Sequence, residues 1–335
     1  MKDTLEKLVS GQNLTQSETA GIFDQIMAGA TTPAQVGAIL AALRAKGETP
    51  EEIAGGATAM RNAAVRIDVG ELEVVDTCGT GGDGSQTFNI STVAALVTAG
   101  ADVPVAKHGN RSITSKCGSA DVLMELGVNL DASPETIARC IREAGIGFMF
   151  APKMHPAMKH AMGPRKELGI RTIFNMLGPL TNPAGAKRQV IGVFSPDLTE
   201  VFANVLQLLG SARVFVVHGE GIDEISTSGI TRISELVDGK VRSYEFDPRE
   251  IIGEFADRTS LAGGDAAENA ATSRKILSGE KGSKRDIVCL NAAAAIVAGG
   301  KAKGFADGWE RAQESIDSGN AQKALDAFVE VSQQG

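Results

Sequence analysis

Three clusters of residues in the chain have the chemistry to hold anions and a hard metal ion. The first is Asp76-Thr-Cys-Gly-Thr-Gly-Gly-Asp-Gly84, with Asn89-Ile-Ser-Thr92 just beyond it. Glycines let the backbone approach an anion with no Cβ in the way. Amides at a helix start point at such an anion, aided by the helix dipole. Asn89, Ser91 and Thr92 add side-chain donors. The second cluster is Lys107-His-Gly-Asn-Arg-Ser112, with Thr114, Ser115, Lys116 and Ser119 close behind. Its cations, glycine and hydroxyls suit a second phosphate. The third is the pair Asp223-Glu224, reached through Gly219 and Gly221. Adjacent carboxylates on a loop can bind Mg²⁺, which takes oxygen ligands and shares its shell with substrate phosphates.

Taken singly, each cluster has a plainer alternative: a tight turn without ligand, a solvated basic turn, a pair of surface acids. Together they favour a phosphate site that needs a metal, with Asp83 as a further acid. Arg165 follows Gly163-Pro164 and could grip a carboxylate through two parallel hydrogen bonds. Its alternative is a surface pairing with Glu167. His155, His160 and His218 show no evident partner and read as structural. Gly79, Gly81 and Gly84 also match the dinucleotide fingerprint. That reading is rejected, because Asp83 would sit against a pyrophosphate. The next strand also leads to Lys107-His108, where a dinucleotide enzyme places an acid for the ribose.

The elements that must position these clusters follow from periodicity. Residues 1–70 read as helices. Thr15 and Glu18 form a capping box, and Thr32-Pro33 and Thr49-Pro50 each place an N-cap before a proline. From Leu72 the pattern changes. Short apolar runs at Leu72–Val75, Val103–Ala106, Ile146–Phe150, Val190–Phe194 and Val214–Val217 alternate with helical stretches such as Ser91–Ala99 and Leu198–Leu209. That alternation predicts an α/β fold with a mostly parallel sheet covered on both faces. Ligands of such sheets sit beyond the carboxyl ends of the strands, where all three clusters fall. Asp238-Gly239 predicts a hairpin. Lys153–Pro183 has weak periodicity and reads as a long, functional irregular segment.

The length of 335 residues suggests two domains. A net charge of -8 argues against a nucleic-acid partner. No apolar run reaches the ~20 residues of a membrane span, and no signal-peptide core follows Met1. Cys78, Cys117, Cys140 and Cys289 lack metal or disulfide spacing, so a cytoplasmic location is expected.

Gly79-Thr-Gly-Gly-Asp83, Asn89-Ile-Ser-Thr92, Lys107-His-Gly-Asn-Arg-Ser112, Gly163-Pro-Arg-Lys-Glu-Leu-Gly169, Asn175-Met-Leu-Gly-Pro-Leu-Thr-Asn-Pro183 and His218-Gly-Glu-Gly-Ile-Asp-Glu224 occur in this order. Together they resemble the signature segments of the anthranilate phosphoribosyltransferases. The resemblance implies the class III, nucleoside phosphorylase/phosphoribosyltransferase-like architecture. A small all-helical domain (1–70 with part of 160–186) joins a larger α/β domain (71–160 and 187–335), with the site between them and a homodimer formed through the helical domains. It implies transfer of the phosphoribosyl group of phosphoribosyl pyrophosphate to the amine of anthranilate, the second step of tryptophan biosynthesis from chorismate.

By the same resemblance, Gly79, Gly82, Asp83, Thr87, Asn89, Ser91, Thr92, Lys107, Asn110, Arg111, Ser112, Ser115 and Ser119 would hold phosphoribosyl pyrophosphate. Gly79, His108, Asn110, Arg165 and Gly178 would meet anthranilate. Ser91, Asp223 and Glu224 would bind Mg²⁺, two ions per subunit. No general base is assigned. Thr114 and Cys117 stand where the family more often has serine, and Cys117 is given no substrate contact. A pyrimidine nucleoside phosphorylase shares the architecture but would not need Asp223-Glu224. A nucleic-acid-binding relative without activity is disfavoured by the acidic charge and the intact loops.

Overall fold

Helices α1 (Lys2–Val9), α2 (Gln16–Met27), α3 (Pro33–Lys46) and α4 (Pro50–Ala63) open the chain, in a computed structural model that describes residues 1–111 and 117–334. Their boundaries follow from capping. The hydroxyls of Thr15, Thr32 and Thr49 accept from the amides of Glu18, Gln35 and Glu52. The side chains of those three residues accept in turn from the threonine amides. A side-chain cap of this kind contributes about 1 kcal/mol. Ile22, Phe23, Ile39, Leu40 and Ile53 bury the inner faces in one cluster, and the later helix Lys159–Leu168 packs against α2 and α3.

The remainder is built on seven strands: β1 (Val75–Gly79), β2 (Val105–Gly109), β3 (Ile146–Phe150), β4 (Arg188–Gly192), β5 (Arg213–His218), β6 (Thr231–Val237) and β7 (Lys240–Phe246). Their order is β3-β2-β1-β4-β5-β6-β7. The first five run parallel, and β6 and β7 complete the edge antiparallel. Asp238 and Gly239, at φ 50° and 70°, make the expected two-residue turn. Helices Ile90–Gly100 and Ser283–Ala298 cover one face. Leu198–Leu208, with α4 behind it, covers the other. Strand order reverses between β1 and β4, and the crevice beyond their carboxyl ends is where such sheets bind ligands. Among the described residues, no helix is long and apolar enough to cross a membrane.

Two expectations need correction. The strand placed at Leu72–Val75 lies instead at Val75–Gly79, and β2 runs on through Lys107 and His108 to Gly109. Asp76 can occupy a central strand because its hydrogen bonds are met inside. The buried Asp76 carboxylate accepts from His108 N at 3.0 Å and Asn182 Nδ2 at 2.8 Å. The segment 153–183 is not irregular. It holds the helices Lys159–Leu168 and Phe174–Leu177, flanked by the short 3₁₀ turns Pro156–Met158 and Gly178–Leu180. Pro156, Gly163 and Pro164 hide their periodicity.

Candidate active site

The glycine loop leaves β1 at Gly79. Gly81, Gly82 and Gly84 take φ of 62°, 75° and 73°, and Gln86 takes 53°. The loop ends at Asn89, the N-cap of Ile90–Gly100. The acidic pair, beyond β5, folds back onto it. Asp223 Oδ2 accepts from Gly81 N at 2.9 Å, and Asp223 N donates to Asp83 Oδ2 at 3.2 Å. Glu224 Oε1 accepts from Ser91 N at 3.1 Å, at the positive end of the helix. Two amides that the sequence reading aimed at a phosphate therefore face the acids, and the first and third clusters are one structure. A Cβ on Gly79 would stand 2.7 Å from Asp223 Oδ2, so this glycine makes room for the acid.

Lys107, on β2, is 1% exposed. Its Nζ donates to Thr77 O and lies 3.4 Å from both Thr77 Oγ1 and Ser91 Oγ. Burial pushes the Lys107 ammonium below its ordinary pKa. Burial, reinforced by Asp83, pushes Asp223 up to about 7, and burial with Asp223 beside it pushes Glu224 up to about 8. Crowded carboxylates of this kind are relieved by a cation. Among the described residues, no three Asp, Glu, His or Cys side chains converge closely enough to enclose a metal by themselves. Asp223, Glu224 and the Ser91 hydroxyl nevertheless suit Mg²⁺, which keeps several waters and takes substrate phosphate into its shell.

His108 is buried, with Nδ1 3.2 Å from Gly178 O and its ring 5.1 Å from that of His155. This contact brings Gly178 to the second loop and supplies the partner that sequence did not reveal for His155. Burial holds both rings neutral, with pKa pushed down to about 3 for His108 and about 4 for His155. Asn110 and Arg111 are exposed at the loop, and Ser119 Oγ donates to Asn110 O at 3.2 Å. Ser112 and Ser115, with Thr114 and Lys116, lie outside the described residues.

Arg165 is half-buried with its guanidinium 5.1 Å over the Phe174 ring. Among the described residues it forms no ion pair, with Glu167 or any other acid. Thr87 Oγ1 lies 3.3 Å from Ser85 Oγ, and the buried Thr92 Oγ1 has no partner among the described residues. Cys117 Sγ donates to Asn89 Oδ1 at 3.3 Å. The cysteine thus helps to hold a candidate ligand residue. His218 Nδ1 is 2.7 Å from Val193 O, a structural contact as expected.

Sequence reasoning missed three residues that shape this site. Gly192 lies opposite Gly79 in the β1–β4 ladder. Asn291 Oδ1 accepts from Ile225 N at 2.8 Å while its Nδ2 donates to Ile225 O at 2.9 Å, clamping the residue after Glu224. The available signal was a single amide within the apolar run Ile287–Ala298. Arg171 reaches the glycine loop from the segment after Lys159–Leu168.

Comparison with known proteins agrees with this fold. Residues 71–322 match the model of the glycosyl transferase family α/β domain, and residues 2–64 match that of the same family's helical bundle domain. The chain is 56% identical over 329 residues to the anthranilate phosphoribosyltransferase of Desulfosudis oleivorans, covering 98% of this chain and 97% of that relative. It superposes on the crystal structure of the enzyme of that name from Thermus thermophilus with TM-score 0.93 and 44% identity, covering 99% of each chain. The Saccharomyces cerevisiae enzyme, solved in complex with phosphoribosyl pyrophosphate and Mg, gives TM-score 0.89 and 28% identity over 99% of this chain and 97% of that one. A loop–helix–acid arrangement at the switch point of this sheet, matched over nearly the whole length, places the chain in the anthranilate phosphoribosyltransferase family.

Proposed function

We propose that the chain transfers the phosphoribosyl group of phosphoribosyl pyrophosphate to the amine of anthranilate, giving N-(5-phosphoribosyl)anthranilate and pyrophosphate in tryptophan biosynthesis. The observation that carries this reading is the contact of Asp223 and Glu224 with both the glycine loop and the helix start, through Gly81 N and Ser91 N. A nucleoside phosphorylase has no need of such an acidic pair.

The amine lone pair forms the C1–N bond as the bond from C1 to the pyrophosphate oxygen breaks, and the nitrogen then loses a proton. Positive charge grows on the ribose and negative charge on the leaving group. Lys107 and the loop amides would stabilise that negative charge, and one preorganised donor is typically worth about 3–4 kcal/mol. Mg²⁺, when bound at Ser91, Asp223 and Glu224, would neutralise part of the pyrophosphate charge. The Arg165 guanidinium, which has no ion pair among the described residues, would take the anthranilate carboxylate, with Gly79, His108, Asn110 and Gly178 around the ring. The glycine loop and second loop residues named from the resemblance would hold the phosphoribosyl pyrophosphate. We assign no general base, since an aromatic amine sheds its proton readily after attack.

The same reading includes two Mg²⁺ per subunit and the domain limits given above. It also includes a homodimer through the helical domain, where Val9 and Met162 are exposed apolar side chains. The four cysteines, scattered along the chain with neither metal-ligand nor disulfide-scaffold spacing, fit a reducing cytoplasm. The test is the decay of anthranilate fluorescence with phosphoribosyl pyrophosphate and Mg²⁺. A decay that requires both supports the reading. No decay, with phosphorolysis of thymidine in its place, would overturn it.

A further inference from the structure

Arg171 is exposed, yet its guanidinium is committed. Nη2 donates to Gly82 O at 3.0 Å, and the group lies 4.2 Å over the Phe194 ring. Phe194 is itself tied to the loop, since its amide donates to Thr80 Oγ1 at 3.1 Å. The mount is rigid: Thr172, Ile173 and Phe174, the next three residues, are buried. The loop it grips is not rigid by its own sequence. Gly81, Gly82 and Gly84 are in the left-handed region, and glycine moves between conformations at little steric cost. A trans peptide is planar, so its C=O and N–H point opposite ways. By holding Gly82 O, Arg171 selects one orientation of that peptide and turns the Asp83 N–H away from itself.

The same short segment carries Phe174, on which the Arg165 guanidinium stacks at 5.1 Å. A carboxylate drawing on Arg165 therefore acts on the segment that holds the glycine loop. We propose that Arg171 is a positioning residue that locks the glycine loop in its binding conformation and couples the phosphoribosyl pyrophosphate site to the acceptor site. This rests on the substrate assignments above. By linkage, whatever coupling exists is reciprocal between the two ligands.

The experiment compares wild type, Arg171→Ala and Arg171→Lys. Calorimetry with phosphoribosyl pyrophosphate and Mg²⁺, without anthranilate, reads the lock. Steady-state kinetics over a grid of both substrates read the coupling, as the factor by which saturating one lowers the apparent KM of the other. Arg171→Ala is expected to weaken phosphoribosyl pyrophosphate binding on the order of tenfold, the low end for a charge-assisted hydrogen bond. The coupling factor should fall towards one. Arg171→Lys should recover part of the affinity but not the coupling, because an ammonium cannot stack as a planar fork does. Wild-type affinity and coupling in Arg171→Ala would overturn the proposal. A lower melting temperature with kcat reduced and coupling intact would also overturn it, by showing a merely structural role. Failure of the wild type to bind phosphoribosyl pyrophosphate would instead overturn the substrate assignment, and the lock with it.

Discussion

Gly192 and Asp223 meet so closely that a Cβ on the glycine would overlap the backbone carbonyl of the acid. Gly192 pairs with Gly79 across β4 and β1, so two facing glycines open the space into which the acidic pair descends. They are not equivalent. At Gly79 the obstacle is a carboxylate oxygen, which can rotate aside. At Gly192 it is backbone, which cannot. Gly192→Ala is therefore expected to be the worse substitution, costing about 1–3 kcal/mol of stability by overpacking. It should cost about a hundredfold in activity, since displacement of reacting groups by about 1 Å is that expensive. Thermal melts and kcat/KM for phosphoribosyl pyrophosphate in both alanine variants check this. Equal or reversed severity would show that Asp223 does not depend on this gap.

Arg165→Ala should raise the KM for anthranilate far more than that for phosphoribosyl pyrophosphate. The guanidinium is half-buried, lies on Phe174 and lacks an ion pair among the described residues. Burial already works against its charge. Losing a charge-assisted contact costs on the order of 1.5–3 kcal/mol, about tenfold to a hundredfold. A parallel loss for both substrates would make Arg165 a packing residue.

Much of this site was legible because its chemistry is local. Glycines, hydroxyls and charges lie in short runs at strand ends, and threonine caps announce α2 to α4. What escaped notice depends on distant partners. Asp76 looks like a loop residue until His108 N and Asn182 Nδ2 are seen to satisfy it inside the sheet. That misreading moved β1 by three residues at its start, from Leu72 to Val75. Gly192 reads as an ordinary strand glycine, and its constraint comes from a residue on another loop. Arg171 carries no motif of its own, and its partners Gly82 and Phe194 are far from it in sequence.

The neutral pair His108 and His155 predicts a loss of stability in acid. An unfolded histidine titrates near 6.5, whereas these are held to about 3 and about 4 in the fold by burial. Between those values the unfolded chain binds protons that the folded chain refuses, so stability falls as pH falls from about 6.5 towards about 4. Above about 6.5 the pair has no effect. Each histidine contributes at most about 1.4 kcal/mol per pH unit. His155→Leu should flatten the acid limb by about that slope. The check is chemical denaturation of both proteins from about pH 7.5 to about 4.5, a window that spans the unfolded histidine pKa, and identical slopes would refute the assignment.

Asp223→Asn with Glu224→Gln should fold, lose most activity and melt higher than wild type without metal. The carboxylates are raised to about 7 and about 8 because burial opposes their charge, reinforced by Asp83 beside Asp223 and by Asp223 beside Glu224. The amides carry no charge and keep an oxygen to accept from Gly81 N and Ser91 N. Stability is therefore expected to rise as function falls, the trade expected of a site that stores repulsion for a ligand. Amides are poorer ligands for a hard cation, so the dependence on Mg²⁺ should move to higher concentration and that on phosphoribosyl pyrophosphate should worsen with it. Anthranilate should be affected least, because its carboxylate is assigned to Arg165. Steady-state rates across a Mg²⁺ titration, with melts in EDTA alongside, test both halves. Wild-type rates at ordinary Mg²⁺ would remove the metal role from the pair. A lower melting temperature in EDTA would show that these acids contribute to the fold and are not held there against it.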